Sequence, residues 1–293
     1  MLTIIVVSYN TRELTRACLA SIYRETTTVD FEIIVVDNAS TDGSPEMIRD
    51  TFPAVRLLAF SENLGFAAAN NRAAEEAVGD HLLLLNPDTE IRHDAIGTLL
   101  SFARRYPFYG IYGGGTRFAD GSRNPSAGWD MATPWSLFCG AVGLSSVFRG
   151  SPIFDPESIA RRNWDGPMEV DIVTGCFLLI SRPLWDRLGG FDPSFHMYGE
   201  DADLCLRART AGARPVLCPR AEILHHGGAS EAVRADKLCR LFHAKVQLFR
   251  KHWPPATARY AVRMLELRAL TRVVALAAAV VPATGARRAA ARA

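Results

Sequence analysis

Short runs of Ile, Val and Leu, each closed by a polar or turn-forming cluster, alternate with stretches of helical spacing through the first hundred residues. The alternation predicts β-α-β units, with strands at 3–7, 32–36, 55–60 and 81–85 and helices at 11–23, 44–50, 66–78 and 94–104. Strands that are apolar at every position must be covered on both faces, which favours a mostly parallel central sheet flanked by helices. Ligands of such sheets bind beyond the carboxyl ends of the strands. Here those ends are Ser8-Tyr9-Asn10, Asp37-Asn38, Ser61-Glu62-Asn63 and Asn86-Pro87-Asp88.

Periodicity weakens over 109–167, a Gly- and Pro-rich stretch that reads as loops and irregular strands. It returns as a strand at 172–180, a helix at 182–188 closed by Gly189-Gly190, a helix at 202–211, and short strands at 214–218 and 222–224. From 231 the chain becomes basic and helical, with segments at 235–252 and 257–281 separated by Pro254-Pro255. A domain over 1–230 followed by a helical extension over 231–293 is therefore expected.

The net charge of the 293 residues is +2, which says little, but its distribution is uneven. Residues 1–230 hold 20 Arg against 28 acids, whereas 231–293 hold 13 basic residues against 3 acids. An anionic surface would be met by the tail. Its nine apolar residues, 273–281, sit between Arg272 and Arg287. That is too short for a bilayer span, which takes about 20. The helix can lie in a membrane interface or pack on the domain or on a second subunit, so a homodimer stays open.

All three lysines lie at 237 or beyond, so the first 236 residues have no ammonium for a Schiff base or a phosphate loop. P-loop NTPases, protein kinases and pyridoxal enzymes are disfavoured. Six cysteines form no C-x-x-C pair and read as buried thiols of a reducing compartment. Residues 2–7 lead directly into Ser8-Tyr9-Asn10 without a basic start or cleavage site, so a cytoplasmic protein is expected.

The first turn, Ser8 to Arg12, lacks the glycines of a dinucleotide fingerprint, although Asp37 stands where an acid can meet a ribose or a base. A strand-end Asp can equally be a turn former. Asp88 lies just outside the sheet and can offer oxygen to a hard cation or simply start the next helix. Glu200, Asp201 and Asp203 open an amphipathic segment, where the helix dipole favours acids and where one could act as a general base. His225 and His226 precede paired glycines, and imidazole beside carboxylate suits Mn-like cations, although single histidines are commonly structural.

Taken in order, these pieces resemble the inverting nucleotide-sugar glycosyltransferases of family 2, of GT-A fold, and especially the rhamnosyltransferase-like branch of bacterial surface polysaccharide synthesis. The matching stretches are Ile4 to Asn10, Ile34 to Gly43, Asn63 to Ala67, Leu85 to Asp88, Val173 to Leu178, Gly189 to Asp192, Glu200 to Arg207 and His225 to Gly228, within nearly four fifths of the chain. The resemblance implies that Val7, Ser8, Tyr9, Asp37, Asn63, Gly65 and Asn86 line a nucleotide site in a half spanning 1–105. It implies that Asp88, the last acid of a D-x-D motif whose first acid is Asn86 here, holds Mg or Mn with His225, or less favourably His226. In the half spanning 106–230, Asp201 corresponds to the general base, Glu200 to its neighbour near the acceptor, and Asp171, Thr174 and Gly175 to the sugar and acceptor pocket.

The implied reaction moves a sugar, rhamnose by resemblance, from a nucleoside diphosphate to a hydroxyl of a saccharide or lipid-linked glycan. The implied setting is cytoplasmic, with peripheral contact at the inner face of the plasma membrane through the C-terminal helices, and no nucleic acid partner. Two competing readings are a non-catalytic nucleotide-sugar-binding module, hinted at by Asn86, and a sugar nucleotidyltransferase, which normally has a Gly- and Lys-rich loop after its first strand.

Overall fold

The computed structural model describes residues 1–227 and 234–290. Its strands are β1 (Leu2–Ser8), β2 (Phe31–Asn38), β3 (Arg56–Phe60), β4 (His81–Leu85), β5 (Thr89–Ile91), β6 (Ile111–Arg117), β7 (Arg123–Asn124), β8 (Gly128–Trp129), β9 (Met168–Glu169), β10 (Ile172–Val173), β11 (Phe177–Ser181) and β12 (Val216–His225). The helices are α1 (Arg12–Glu25), α2 (Ser44–Thr51), α3 (Phe66–Glu76), α4 (Ala95–Arg105), α5 (Pro134–Ala141), α6 (Leu144–Val147), α7 (Arg182–Leu188), α8 (Glu200–Thr210), α9 (Arg234–His252) and α10 (Pro255–Ala290).

Ten strands form one sheet, whose main path runs β3-β2-β1-β4-β11-β6-β12-β5. Parallel pairing joins β3, β2, β1 and β4, with the apolar runs of β1, β2 and β4 buried and β3 a partly exposed edge strand. Alternate residues of β1 show why. Leu2, Ile4 and Val6 join a core with Leu19 and Ile22 of α1, Ile48 of α2 and Leu99 of α4. Ile5 and Val7 point to the other face and are equally buried, and α3 packs there against β1 and β2. Burial on both faces removes the alternation that would mark a half-exposed strand. The connection after β3 returns to the far side of β1 to enter β4, which leaves a crevice above the carboxyl ends of β1 and β4.

Beyond β4 the sheet is mixed, because β11 runs antiparallel between β4 and β6. Two expectations change here. The apolar run 172–180 is two strands, β10 and β11, interrupted at Thr174-Gly175-Cys176, where the backbone leaves the sheet. Conversely, 214–218 and 222–224 belong to one strand, β12, with a bulge between Cys218 and Glu222. The bulge carries the Ala221 carbonyl to within 2.1 Å of where a Cβ on Gly114 would stand, so glycine in β6 is what admits it.

Two compact units form, divided otherwise than at 230/231, a boundary that falls outside the described residues. One comprises Met1–Asp130 with Arg162–Lys245 and the other Met131–Arg161 with Val246–Ala293. The irregular middle segment thus shares a unit with the C-terminal helices, and α5 lies along α10 there. Among the described residues, no helix is long and apolar enough to cross a membrane.

Candidate active site

All the anticipated site residues belong to the larger unit, most of them at strand ends, at the start of α8 or on the loops between. At the end of β2, Asp37 is buried: one carboxylate oxygen accepts the Ser40 N–H at 2.9 Å, and the other has no partner. An acceptor left open in this way suits a donor hydroxyl or base N–H. Beside it, Asn38 donates to Asn63 at 2.8 Å and accepts from the Leu64 N–H at 2.8 Å. Asn63 in turn accepts the Gly65 N–H, which folds 63–65 into a tight loop. Tyr9 stands exposed at the end of β1, next to Asn10, whose side chain accepts the Thr41 N–H. Ser8 is different: its hydroxyl is fully buried and shared with Thr11 and Thr15 on α1, and Val7 is buried in the strand before it. For Ser8, only the backbone remains to meet a ligand.

The loop at 63–66 touches the catalytic side of the rim directly. Gly65 has φ +80°, and a Cβ there would lie 2.6 Å from the His196 carbonyl oxygen. Phe66 donates its N–H to that carbonyl at 3.0 Å. His196 lies on the turn that enters α8 through Tyr198 and Gly199, both at positive φ. The turn sets Glu200 and Asp201 at the helix start, where the unpaired N–H groups favour anions.

Asp201 accepts the Gly175 N–H on Oδ2 at 3.0 Å and the Ala202 N–H on Oδ1 at 2.8 Å. Burial raises its pKa and these two backbone donors oppose the rise, leaving it above the ordinary carboxylate range. Glu200 is more enclosed, has one oxygen without a partner, and is pushed up to about 8 by burial and by the charge of Asp201.

Cys176, next in the chain after Gly175, accepts the Asn86 N–H on its carbonyl at 3.0 Å. The Asn86 carbonyl takes the Thr89 hydroxyl, so the main chain there is locked while the side chain remains unpaired among the described residues. Asp88 follows, and its Oδ1 faces His225 Nε2 at 3.4 Å, Asp88 being buried and His225 largely so. Burial pulls the His225 pKa down, but the facing Asp88 carboxylate and the neighbouring Cys176 outweigh it and lift the imidazole to about 10, while Nδ1 is buried without a hydrogen-bond partner. His226 is turned away: its N–H bonds the Asp88 carbonyl and its ring meets Glu90 at 2.8 Å. The pairing of β12 with β5, with His225 opposite Thr89, separates the two histidines in this way.

A buried carboxylate facing a largely enclosed imidazole, once a cation displaces the imidazole's proton, is a donor set that fits a divalent cation of the Mg or Mn kind. Among the described residues, no group of three or more His, Cys, Asp or Glu could hold a metal. Two protein ligands leave the remaining positions of a six-coordinate ion to phosphate oxygens and water.

Asp171 does not share the pocket expected for it. It pairs with Arg209 at the last turn of α8 and takes part in a cluster with Asp130 and Arg162, whereas Gly175 meets Asp201 at the first turn. Residues 171–175 run alongside α8, so the ends of this short segment face opposite ends of the helix. Thr174 lies nearer, tied by its N–H to the Ala127 carbonyl. His196, Phe66 and Cys176 were not singled out from sequence. Phe66 and Cys176 do lie within the matching stretches Asn63 to Ala67 and Val173 to Leu178, whereas His196 lies in none.

The family model for glycosyl transferase family 2 matches residues 3–187, which hold the rim from β1 to the Gly175–Cys176 loop. The chain belongs to glycosyl transferase family 2. It is 36% identical over 208 residues to an N-acetylglucosaminyl-diphospho-decaprenol L-rhamnosyltransferase of Mycobacterium tuberculosis, covering 66% of each chain. It is 27% identical over 171 residues to the rhamnosyltransferase WbbL of Escherichia coli, covering 55% of this chain and 61% of that one. This family 2 chain thus spans just under two thirds of the length of these two relatives. In fold it is similar to the mannosyltransferase PcManGT from Pyrobaculum calidifontis, solved with GDP-Man and Mn2+. The TM-score is 0.59 at 22% identity, covering 97% of this chain and 79% of that one. It is also similar to GalNAc-T7, solved with UDP, GalNAc and Mn2+, with a TM-score of 0.61 at 14% identity, covering 87% and 48%. These likenesses establish the GT-A fold.

Proposed function

We propose that this chain is an inverting glycosyltransferase that moves a sugar from a nucleoside diphosphate to a hydroxyl of a saccharide or lipid-linked glycan. The observation that carries the reading is the Gly175–Cys176 step, two consecutive residues that tie the carboxylate of Asp201 to the end of β4, where Asn86 and Asp88 follow and Asp88 faces His225 at the end of β12. A base and an anion-facing site built on one loop can flank one reacting carbon. L-Rhamnose is the proposed sugar, because the relatives from M. tuberculosis and E. coli are named rhamnosyltransferases. The lipid-linked acceptor follows the name of the first.

Asp37, with its open oxygen, and Asn63 and Gly65 in the loop beside it are assigned to the nucleoside, with Tyr9 at the rim, the backbone at Val7 and Ser8 below it, and the Asn86 side chain toward the ribose or sugar. Asp201 takes the proton of the acceptor hydroxyl, the oxygen forms its bond to the anomeric carbon, and the bond to the diphosphate breaks with inversion. The pair of N–H donors on Asp201 favours its charged form against the effect of burial and fixes its direction. Glu200, protonated below about pH 8, places a neutral carboxyl group beside it that can hydrogen-bond the acceptor. Asp88 and His225 are the residues that would hold a divalent cation, which supplies charge neutralisation for a leaving diphosphate. Thr174 and Gly175 border the space over Asp201.

The basic C-terminal helices are proposed to hold the protein at the inner face of the plasma membrane, where a lipid-linked acceptor is presented. Assaying each sugar nucleotide with a lipid-linked acceptor tests the whole reading. Release of nucleoside diphosphate with a new glycosidic product of inverted configuration is expected. Pyrophosphate release would mark a nucleotidyltransferase, and binding of donor without any turnover would mark a binding module.

A further inference from the structure

The space over Asp201 has an apolar wall that the chemistry above does not use. Phe66 opens α3, and its ring is half-buried at the rim. The ring leans on Phe191 with centroids 6.0 Å apart, and Phe191, itself fully buried, meets the Trp185 ring edge-on at 5.3 Å. From α3, the Asn71 amide clamps Phe191, donating to its carbonyl at 2.8 Å and accepting its N–H at 2.9 Å. With its own N–H held by the His196 carbonyl, Phe66 is fixed at both backbone and ring.

Gly175 faces this ring. A Cβ on Gly175 would stand 3.5 Å from Phe66 Cε1, 3.7 Å from Phe66 Cζ and 3.6 Å from the Asp201 Cβ, with nothing nearer. These are ordinary contact distances, so the hydrogen that replaces a side chain leaves a gap one carbon wide between the ring and the acid. The side chains assigned to the reaction, Asn86, Asp88, His225, Glu200 and Asp201, are polar and suit hydroxyls, phosphate or a cation. The C–H groups of a sugar ring need a different partner.

We propose that the gap over Gly175 seats a ring C–H of the acceptor sugar, with Phe66 as the residue that selects a sugar face there. The acceptor hydroxyl donates to Asp201, so the carbon that bears it stands beside that carboxylate, where the gap has the size of one carbon. An aromatic ring against C–H groups removes apolar surface from water and asks for no hydrogen bond. A water is the poorer occupant, because it would gain no hydrogen bond from the ring. The proposal rests on the transferase reading, with Asp201 as base, and adds the class of acceptor: a cyclic sugar with a C–H face rather than an acyclic polyol.

Gly175→Ala fills the gap. The backbone there is not at positive φ and the new methyl meets nothing closer than 3.5 Å, so the melting temperature should hold. With the sugar nucleotide selected by the assay above and an N-acetylglucosaminyl-diphospho-lipid as acceptor, the acceptor KM of this variant should rise about tenfold, with the donor KM within about twofold. Phe66→Ala should raise the acceptor KM about tenfold, and Phe66→Leu, which keeps apolar packing on Phe191, about threefold. The Leu variant decides where the Ala variant does not fold. Calorimetric binding of the same acceptor, with nucleoside diphosphate present, should follow the same order without turnover. An unchanged acceptor KM in Gly175→Ala, Phe66 variants that raise donor and acceptor KM together, or a glycerol phosphate lipid used as well as the saccharide would each overturn the proposal. Native turnover alongside any of these leaves the transferase reading standing, whereas a native chain that neither binds nor turns over the saccharide acceptor removes that reading and this one with it.

Discussion

Gly175 and Asp201 are joined by a 3.0 Å hydrogen bond from the backbone N–H of the first to Oδ2 of the second, across a break between two strands. The bond uses no side chain of Gly175, and a Cβ there would lie 3.6 Å from that of Asp201 and 3.5 Å from the Phe66 ring. Space for substrate over the carboxylate thus depends on the small residue as much as on the acid.

Replacing Asp201 by Asn keeps the size of the side chain and an oxygen for the Gly175 N–H, but removes the basic lone pair. Turnover should fall about 10²–10⁴-fold with the donor KM nearly unchanged. Steady-state kinetics with saturating acceptor checks this, and near-native turnover would remove Asp201 from the role of base.

Gly65→Ala tests the contact between the nucleotide loop and the entry to α8. With φ +80° and ψ 168°, the position is one that only glycine adopts comfortably, and the new Cβ would meet the His196 ring and carbonyl. A loss of about 2 kcal/mol or more is expected in denaturant melts, with donor binding and turnover both reduced because the two loops move together.

Much of this arrangement is legible in the chain. Continuous apolar runs gave β1, β2 and β4 within a residue or two, because burial on both faces leaves one unambiguous pattern, and β3, a partly exposed edge strand, was found as closely. Polar clusters at their ends located Asp37, Asn63 and Asp88 on one rim. What periodicity does not carry is the break at Thr174-Gly175-Cys176, since an apolar run reads alike whether it is one strand or two. Nor does it reveal which end of α8 each residue of 171–175 faces, and so Asp171 was grouped with Gly175. Ser8 was grouped with the ligand pocket because residue type does not show that Thr11 and Thr15 occupy its hydroxyl. The union of 131–161 with the C-terminal helices rests on contacts distant in sequence.

Chelation should abolish turnover if Asp88 and His225 hold a cation, and Mn or Mg should restore it. Thermal shift gives an independent readout. Stabilisation of the native chain by a nucleoside diphosphate should require the metal, and Asp88→Asn should lose the metal-dependent part, worth about 2.7 kcal/mol at a ligand concentration of about 100 Kd. Equal stabilisation of both chains by the nucleoside diphosphate with Mn or Mg present would separate Asp88 from any metal.

Asp171→Asn breaks the pair with Arg209 at the far turn of α8. Both partners are partly exposed, so the cost should be under about 1 kcal/mol, and kcat should stay within about twofold. A large fall in kcat with unchanged stability would return Asp171 to the pocket.

Glu200 makes stability depend on pH in an unusual direction. Its pKa is about 8 in the folded chain against an ordinary 4.5, so the folded state holds the proton more tightly than the unfolded state. No penalty exists below the unfolded value. As pH rises between the two values the folded state must either keep a proton the solvent no longer favours or bury a charge, and the penalty is complete above about 8. Glu200→Gln removes the titration and keeps the shape. Relative to the native chain, the variant should gain stability steadily from about pH 5 to about pH 9, by on the order of a few kcal/mol. Denaturant melts across that range read the difference. Parallel pH curves for the two chains would mean that Glu200 is ionised at neutral pH, and the neutral carboxyl group proposed beside Asp201 would then have to be given up.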